Sequence, residues 1–176
     1  MVDTQDLKSC DHCGCAGSSP APGTDQRVNC PVNCIHMNLE LFINFDGNCR
    51  EAVAFYAKVF KSKVENLMTY SQTPSDPNYP FAEEDMDNIM YAGVQIGGIT
   101  VMFMDNPSGS PLIVGDNINP TISVDNKEEV ERIFNELKDG GQVQMELQPT
   151  FFSELYGMVK DQFGVIWHIL YYVREK

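Results

Sequence analysis

From residue 38 onward the chain switches between two rhythms of apolar and polar positions. Leu39, Leu41, Ile43 and Phe45 alternate with Glu40, Phe42 and Asn44, the period-two pattern of a half-buried strand over 38–45. Asp46-Gly47 is turn chemistry, and Asn48 can cap a following helix. Ala52, Val53, Tyr56, Val59 and Phe60 then fall on one helical face. Residues 64–70 read as a strand. The Pro- and acid-rich stretch 71–88 is long enough to suggest a functional flap or an ordered arm. Residues 89–96 and 99–104 read as a hairpin turning at Gly97-Gly98.

The same order returns in the second half. Residues 119–124 read as a strand, and Asp125 or Asn126 caps a helix with Glu128 or Glu129 at the capping-box position. Val130, Ile133, Phe134 and Leu137 line the buried face of that helix, and Gly140-Gly141 ends it. Strands follow at 142–147, 155–160 and 165–172. Each half is strand, helix, three strands. The expected fold is therefore α+β, two βαβββ modules whose sheets cannot bury their faces alone and leave a concavity, or cup, between them.

Residues 1–36 differ in kind. They hold Cys10, Cys13, Cys15, Cys30 and Cys34, with His12 and His36 close by, among Ser, Pro, Gly and Asn. The spacing C-x2-C-x-C, then C-x3-C-x-H, resembles a zinc knuckle in ligand type. The same composition is also that of a disordered extension, and a redox role is a third reading. The expected division is a Cys-rich extension over 1–36 and one folded domain over 37–176.

The net charge is -13, and the extension contributes only four acids and two bases to it. A surface this acidic repels phosphate backbones, which argues against nucleic acid as a partner and would favour a cationic small molecule. No apolar run approaches the ~20 residues that span a bilayer. The N-terminus shows no basic stretch followed by an apolar one. The expectation is a cytoplasmic protein away from membranes.

Several runs resemble PhnB-like proteins of the glyoxalase, bleomycin-resistance and extradiol-dioxygenase superfamily, the vicinal oxygen chelate group. They are Phe45-Asp46-Gly47-Asn48-Cys49-Arg50-Glu51-Ala52 with Phe55-Tyr56 and Val59-Phe60, then Met102-Phe103-Met104-Asp105, and Gly140-Gly141-Gln142-Val143. The longest runs from Tyr156-Gly157-Met158-Val159-Lys160-Asp161 to Gln162-Phe163-Gly164-Val165-Ile166-Trp167. The resemblance starts at Met37. It implies the two-module fold and a homodimer, since an exposed edge strand is otherwise a liability. It does not imply one function, because lyases, isomerases, oxygenases and drug-sequestering proteins share this scaffold. PhnB-like sequences often carry a demethylubiquinone-methyltransferase label, yet no glycine-rich cofactor loop follows the first strand here.

The resemblance also implies where a divalent metal would sit, on four inward-facing residues, two from each module. The matching positions hold Leu41 or its neighbour Glu40, Met102 or Met104, Asn119 and His168. Thioethers are poor partners for hard cations. A complete metal site is therefore not expected, nor any other cofactor. Tyr91 stands where PhnB-like proteins often place His. The residues expected to contact a small-molecule ligand are Asn44, Tyr91, Phe103, Asn119, Tyr156, Trp167 and His168. Asp105 and Glu146 could act as acids or bases, Cys49 reads as a packed small residue, and no catalytic residue is assigned. Three functions stay open: a small-molecule binding module, a metal-dependent enzyme acting on an oxygen-rich substrate, or a docking role for the Cys-rich segment.

Overall fold

The computed structural model of the chain describes residues 39–74 and 80–172. The Cys-rich segment, with its zinc, redox and disorder readings, lies outside them. The first module runs β1 (Leu41–Phe45), α1 (Cys49–Val59), β2 (Val64–Thr69), β3 (Ile89–Ile96) and β4 (Ile99–Asp105). The second runs β5 (Thr121–Val124), α2 (Lys127–Leu137), β6 (Gln142–Gln148), β7 (Tyr156–Lys160) and β8 (Ile166–Tyr171). The sheet orders are β1-β4-β3-β2 and β5-β8-β7-β6, so the two halves repeat one topology. In each, the first strand lies parallel to the last, as a helical crossover requires, and the other pairs are antiparallel. The two βαβββ modules expected from the pattern are present. No helix among the described residues is long and apolar enough to cross a membrane.

One face of each sheet packs on its helix and the other is left open. Leu41, Ile43 and Phe45 of β1, paired with Val101, Phe103 and Asp105 of β4, point to the helix side. In the second module Val159, Trp167 and Ile169 do the same, beneath Val130, Ile133, Phe134 and Leu137 of α2. The long stretch between β2 and β3 holds two single 3₁₀ turns, Tyr70–Gln72 and Glu83–Asp85, and residues 75–79 are outside the described set.

Two buried carboxylates organise this core. Asp105, read from sequence as a possible acid or base, is 1% exposed. Its Oδ1 accepts from the Cys49 backbone N–H at 2.8 Å and its Oδ2 from that of Ile89 at 2.9 Å. Asn48, the expected cap of α1, makes no side-chain cap hydrogen bond. The helix start is satisfied instead by a carboxylate from β4, with the sign that suits the positive end of the helix dipole. By contrast α2 follows its sequence: the Asn126 side chain accepts from the Glu129 N–H.

Asp161, 4% exposed, opens the β7–β8 turn. It accepts from the backbone N–H groups of Phe163 and Val165, from Tyr56 Oη at 2.7 Å and from Trp167 Nε1 at 2.8 Å. Burial pushes its carboxyl up, against the pull of these donors. Tyr56 belongs to α1, so this one residue ties the first module to the second. Around it Tyr56 packs on Phe103, Phe163 and Trp167, with ring centroids 5.3, 5.9 and 5.6 Å away. Every polar and aromatic contact found between the modules among the described residues involves α1, its flanks Phe45, Phe60 and Lys61, and the facing residues Glu129, Asp161, Phe163 and Trp167.

Candidate functional site

The modules meet on their helix sides, which leaves the opposite faces of both sheets to carry any recognition chemistry. On the first, alternation puts Phe42 and Asn44 of β1 beside Met102 and Met104 of β4. Tyr91 of β3 is on the same face, its ring edge-to-face with Phe42 at 6.5 Å. Phe42 remains 42% exposed. This is an apolar, thioether-rich surface with a phenol and an amide placed on it, the make-up of an adaptable binding surface.

The second open face is more polar. Thr121 and Ser123 of β5 flank β8, where His168 pairs with Thr121 on one side and with Met158 of β7 on the other. The Tyr156 hydroxyl lies 3.0 Å from His168 Nδ1. His168 Nε2 is buried and has no hydrogen-bond partner among the described residues, and the same is true of Asn119 Oδ1. Asn119 Nδ2 donates to the Asp116 carbonyl. Buried polar atoms are nearly always paired, so these two mark the polar centre of this face. Above them the loop 149–155 carries Phe152 edge-to-face with Tyr156, ring centroids 5.1 Å apart. The Ser153 hydroxyl pins that loop, its one proton shared between the carbonyl oxygens of Leu155 and Tyr171, each 2.8 Å away.

Of the residues singled out from sequence, Asn44 and Tyr91 lie on the first open face, and Tyr156 and His168 on the second, with Asn119 just before β5. Phe103 and Trp167 are placed elsewhere. Both are fully buried on the helix side, Phe103 stacked on Tyr56 and Trp167 tilted against it. The reason is strand alternation: they neighbour Met102 and His168, and neighbours on a strand face opposite ways. No described contact joins Tyr91 to His168. Phe152, which the sequence offers as an aromatic that could line an apolar cup, stands in the Pro-Thr-Phe-Phe-Ser loop beside Tyr156.

A cleft of about 760 Å³ adjoins these faces. Leu41, Ile96, Val101, Ile122, Val124 and Trp167 line it, between the free edges of β1 and β5. Thr121, Ser123 and Asp125 line it too, so it is mixed in polarity and shares two residues with the second open face, but it does not include His168. Large size alone does not make it the site, since neither His168 nor Asn119, which carry the unpartnered buried atoms, lines it.

The donor set of those faces decides what they can hold. Of the positions that the resemblance matches to a metal site, Met102, Met104 and His168 lie on the open faces, and Asn119 just before β5. Leu41, taken from sequence as the first of them, points to the helix side, and Glu40 is exposed ahead of β1. Among the described residues no three His, Cys, Asp or Glu side chains come together as metal ligands would. Rings, thioethers and hydroxyls beside one imidazole do not fit a hard or borderline divalent cation. Cys49 offers no nucleophile, because it is fully buried and burial pushes its thiol up.

A family model described as 3-demethylubiquinone-9 3-methyltransferase matches residues 38–170. The protein YjdN of Escherichia coli K12 is 31% identical over 140 residues, which span 76% of this chain and 94% of YjdN. The crystal structure of protein PA1353 from Pseudomonas aeruginosa is 33% identical, with a TM-score of 0.70 over 77% of this chain and 98% of that one. A PhnB protein from Bacillus cereus has the same fold at 22% identity, with a TM-score of 0.63, over 77% of this chain and all of its own.

Proposed function

Because the chain belongs to the 3-demethylubiquinone-9 3-methyltransferase family, the PhnB-like branch of the vicinal oxygen chelate superfamily, we propose that it is a small-molecule binding protein. The ligand is a small, largely apolar or cationic compound, held on the open sheet faces without a resident metal or cofactor. One observation carries this reading. The two open faces combine Phe42, Met102 and Met104 with only a few placed polar groups, Asn44, Tyr91, Tyr156 and His168. Binding sites for small organic molecules are built this way.

The family's methyltransferase name does not transfer to this chain's residues. The turn after β1 is Asp46-Gly47-Asn48, with a single glycine at φ +82°, not a glycine-rich loop that would admit a nucleotide-like methyl donor. The net charge of -13 favours a cationic ligand over an anionic one and speaks against nucleic acid. The same reading includes a cytoplasmic homodimer. A second copy would cover apolar groups that one chain leaves on its open faces, such as Phe42 and Phe152, both more than 40% exposed.

The test uses the full chain with rhodamine 6G, a cationic aromatic dye, followed by fluorescence anisotropy. Saturable binding that is unchanged by EDTA and weakened at least tenfold by Met104→Lys is the expected result. An absence of binding, or binding abolished by EDTA, overturns the proposal. Light scattering should give twice the chain mass of 19.8 kDa, and a monomer at micromolar concentration removes the dimer from it.

A further inference from the structure

Building on that metal-free reading, we infer that His168 Nε2–H and Asn119 Oδ1 form a donor–acceptor pair for a carboxamide group, so that the ligand class is an aromatic amide. The Tyr156 hydroxyl, 3.0 Å from His168 Nδ1, sets the tautomer. A phenol donates a hydrogen bond more readily than it accepts one, and the bare nitrogen of a neutral imidazole is a good acceptor. The pair therefore settles as O–H···Nδ1 and keeps the ring proton on Nε2. That N–H is buried without a partner among the described residues, an arrangement a fold retains at a cost unless an acceptor meets it.

Asn119 supplies the other half. Its Nδ2 donates to the Asp116 carbonyl, which fixes the amide orientation and leaves Oδ1 as a buried, unpartnered acceptor. The two groups stand at the same end of one strand pair, since the His168 backbone N–H donates to the carbonyl of Pro120 and His168 pairs with Thr121. A ligand group that satisfies both must accept from His168 and donate to Asn119. A carboxamide does both. A carboxylate has no proton to give Asn119 and is disfavoured by the acidic surface. Phe152, Tyr156 and Met158 beside the pair provide an apolar wall suited to an aromatic ring.

The experiment uses the full chain labelled with ¹⁵N-histidine and three probes of one size: benzamide, benzoate and toluene. The chain has three histidines, and the His168 ring signals are those lost in His168→Phe. In the free protein the tautomer should carry its proton on Nε2, and Tyr156→Phe should move that signature. Benzamide should shift the Nε2–H signal. Its affinity should fall about three- to tenfold in His168→Phe and in Asn119→Leu, the loss of one hydrogen bond in each case. Toluene should bind both variants within about twofold of wild type, and benzoate should bind more weakly than benzamide. A proton on Nδ1, or equal losses for toluene and benzamide, overturns the inference while the binding reading stands. If none of the three probes binds the wild-type chain, the binding reading fails and takes the inference with it.

Discussion

Removing Asp161 should loosen the two modules from one another, and the way in which it does so can be worked from its four partners. Tyr56 Oη and Trp167 Nε1 donate to it from buried positions, and the N–H groups of Phe163 and Val165 from within the turn. Asp161→Ala orphans all four. The turn amides can recruit water, but the Tyr56 and Trp167 donors are sealed in an aromatic cluster where both residues are fully buried. An orphaned buried donor costs roughly 1–3 kcal/mol, so about 2–6 kcal/mol is expected from those two. Tyr56→Phe alone removes one hydrogen bond to a charged group, about 1.5–3 kcal/mol. The informative variant is the double one. In the Asp161→Ala background the Tyr56 hydroxyl is already an orphan, so Tyr56→Phe there should be neutral or stabilising. Urea denaturation of the four proteins, read as a double-mutant cycle, should give a coupling of about 1.5–3 kcal/mol. Additive costs would refute the reasoning and mean that the polar hub contributes less than the rings around it.

Three further outcomes follow from the same structure. Asp105→Ala should lower stability by about 2–5 kcal/mol, since it leaves unpaired the Cys49 amide at the start of α1 and the Ile89 amide at the start of β3; urea midpoints check it, and Asn48→Ala should cost under about 0.5 kcal/mol because the Asn48 side chain caps nothing. Gly157→Ala should destabilise by roughly 1–3 kcal/mol, because a Cβ there would meet the Phe134 ring at 2.7 Å; thermal melts that match wild type would count against this packing. Glu129 is held down to about 2 by Arg132 and by Lys61 of the first module, so its contribution is present above the ordinary carboxylate range and is lost as pH falls through about 2. Its side chain is about one-third exposed, which limits that contribution to about 1 kcal/mol or less. The stability gap between wild type and Glu129→Gln should accordingly be small at pH 7 and should close between pH 4.5 and 2; a gap that widens on acidification contradicts the assignment.

What could be read in the sequence was mostly the helix-side half of the molecule. Strand alternation and helical spacing report burial, and residues such as Ile43, Val53, Phe134 and Val159 are buried regardless of what the protein binds. The runs that carry the family resemblance turn out to be structural for the same reason. Asp105 at the end of the Met-Phe-Met-Asp run anchors α1, and Asp161 in the Lys-Asp-Gln-Phe-Gly run joins the modules. Neither role is visible locally, because the partners Cys49 and Tyr56 lie far away in the chain. The open faces were harder. An alternating strand shows which residues share a side, but not which side a ligand meets. Phe103 and Trp167 looked like ligand contacts because large aromatics suit both a core and a binding surface. Tyr156 and His168 were legible as polar residues on apolar strands.

The central claim is that the open faces, and not the cleft or a metal, make the binding site. Its most direct test is an amide chemical-shift map of the full chain titrated with rhodamine 6G in the presence of EDTA. The account predicts saturable shifts clustered at Phe42, Tyr91, Met102, Tyr156 and His168. Shifts centred on Leu41, Ile122 and Val124, or shifts that appear only after a divalent metal is added, would contradict it.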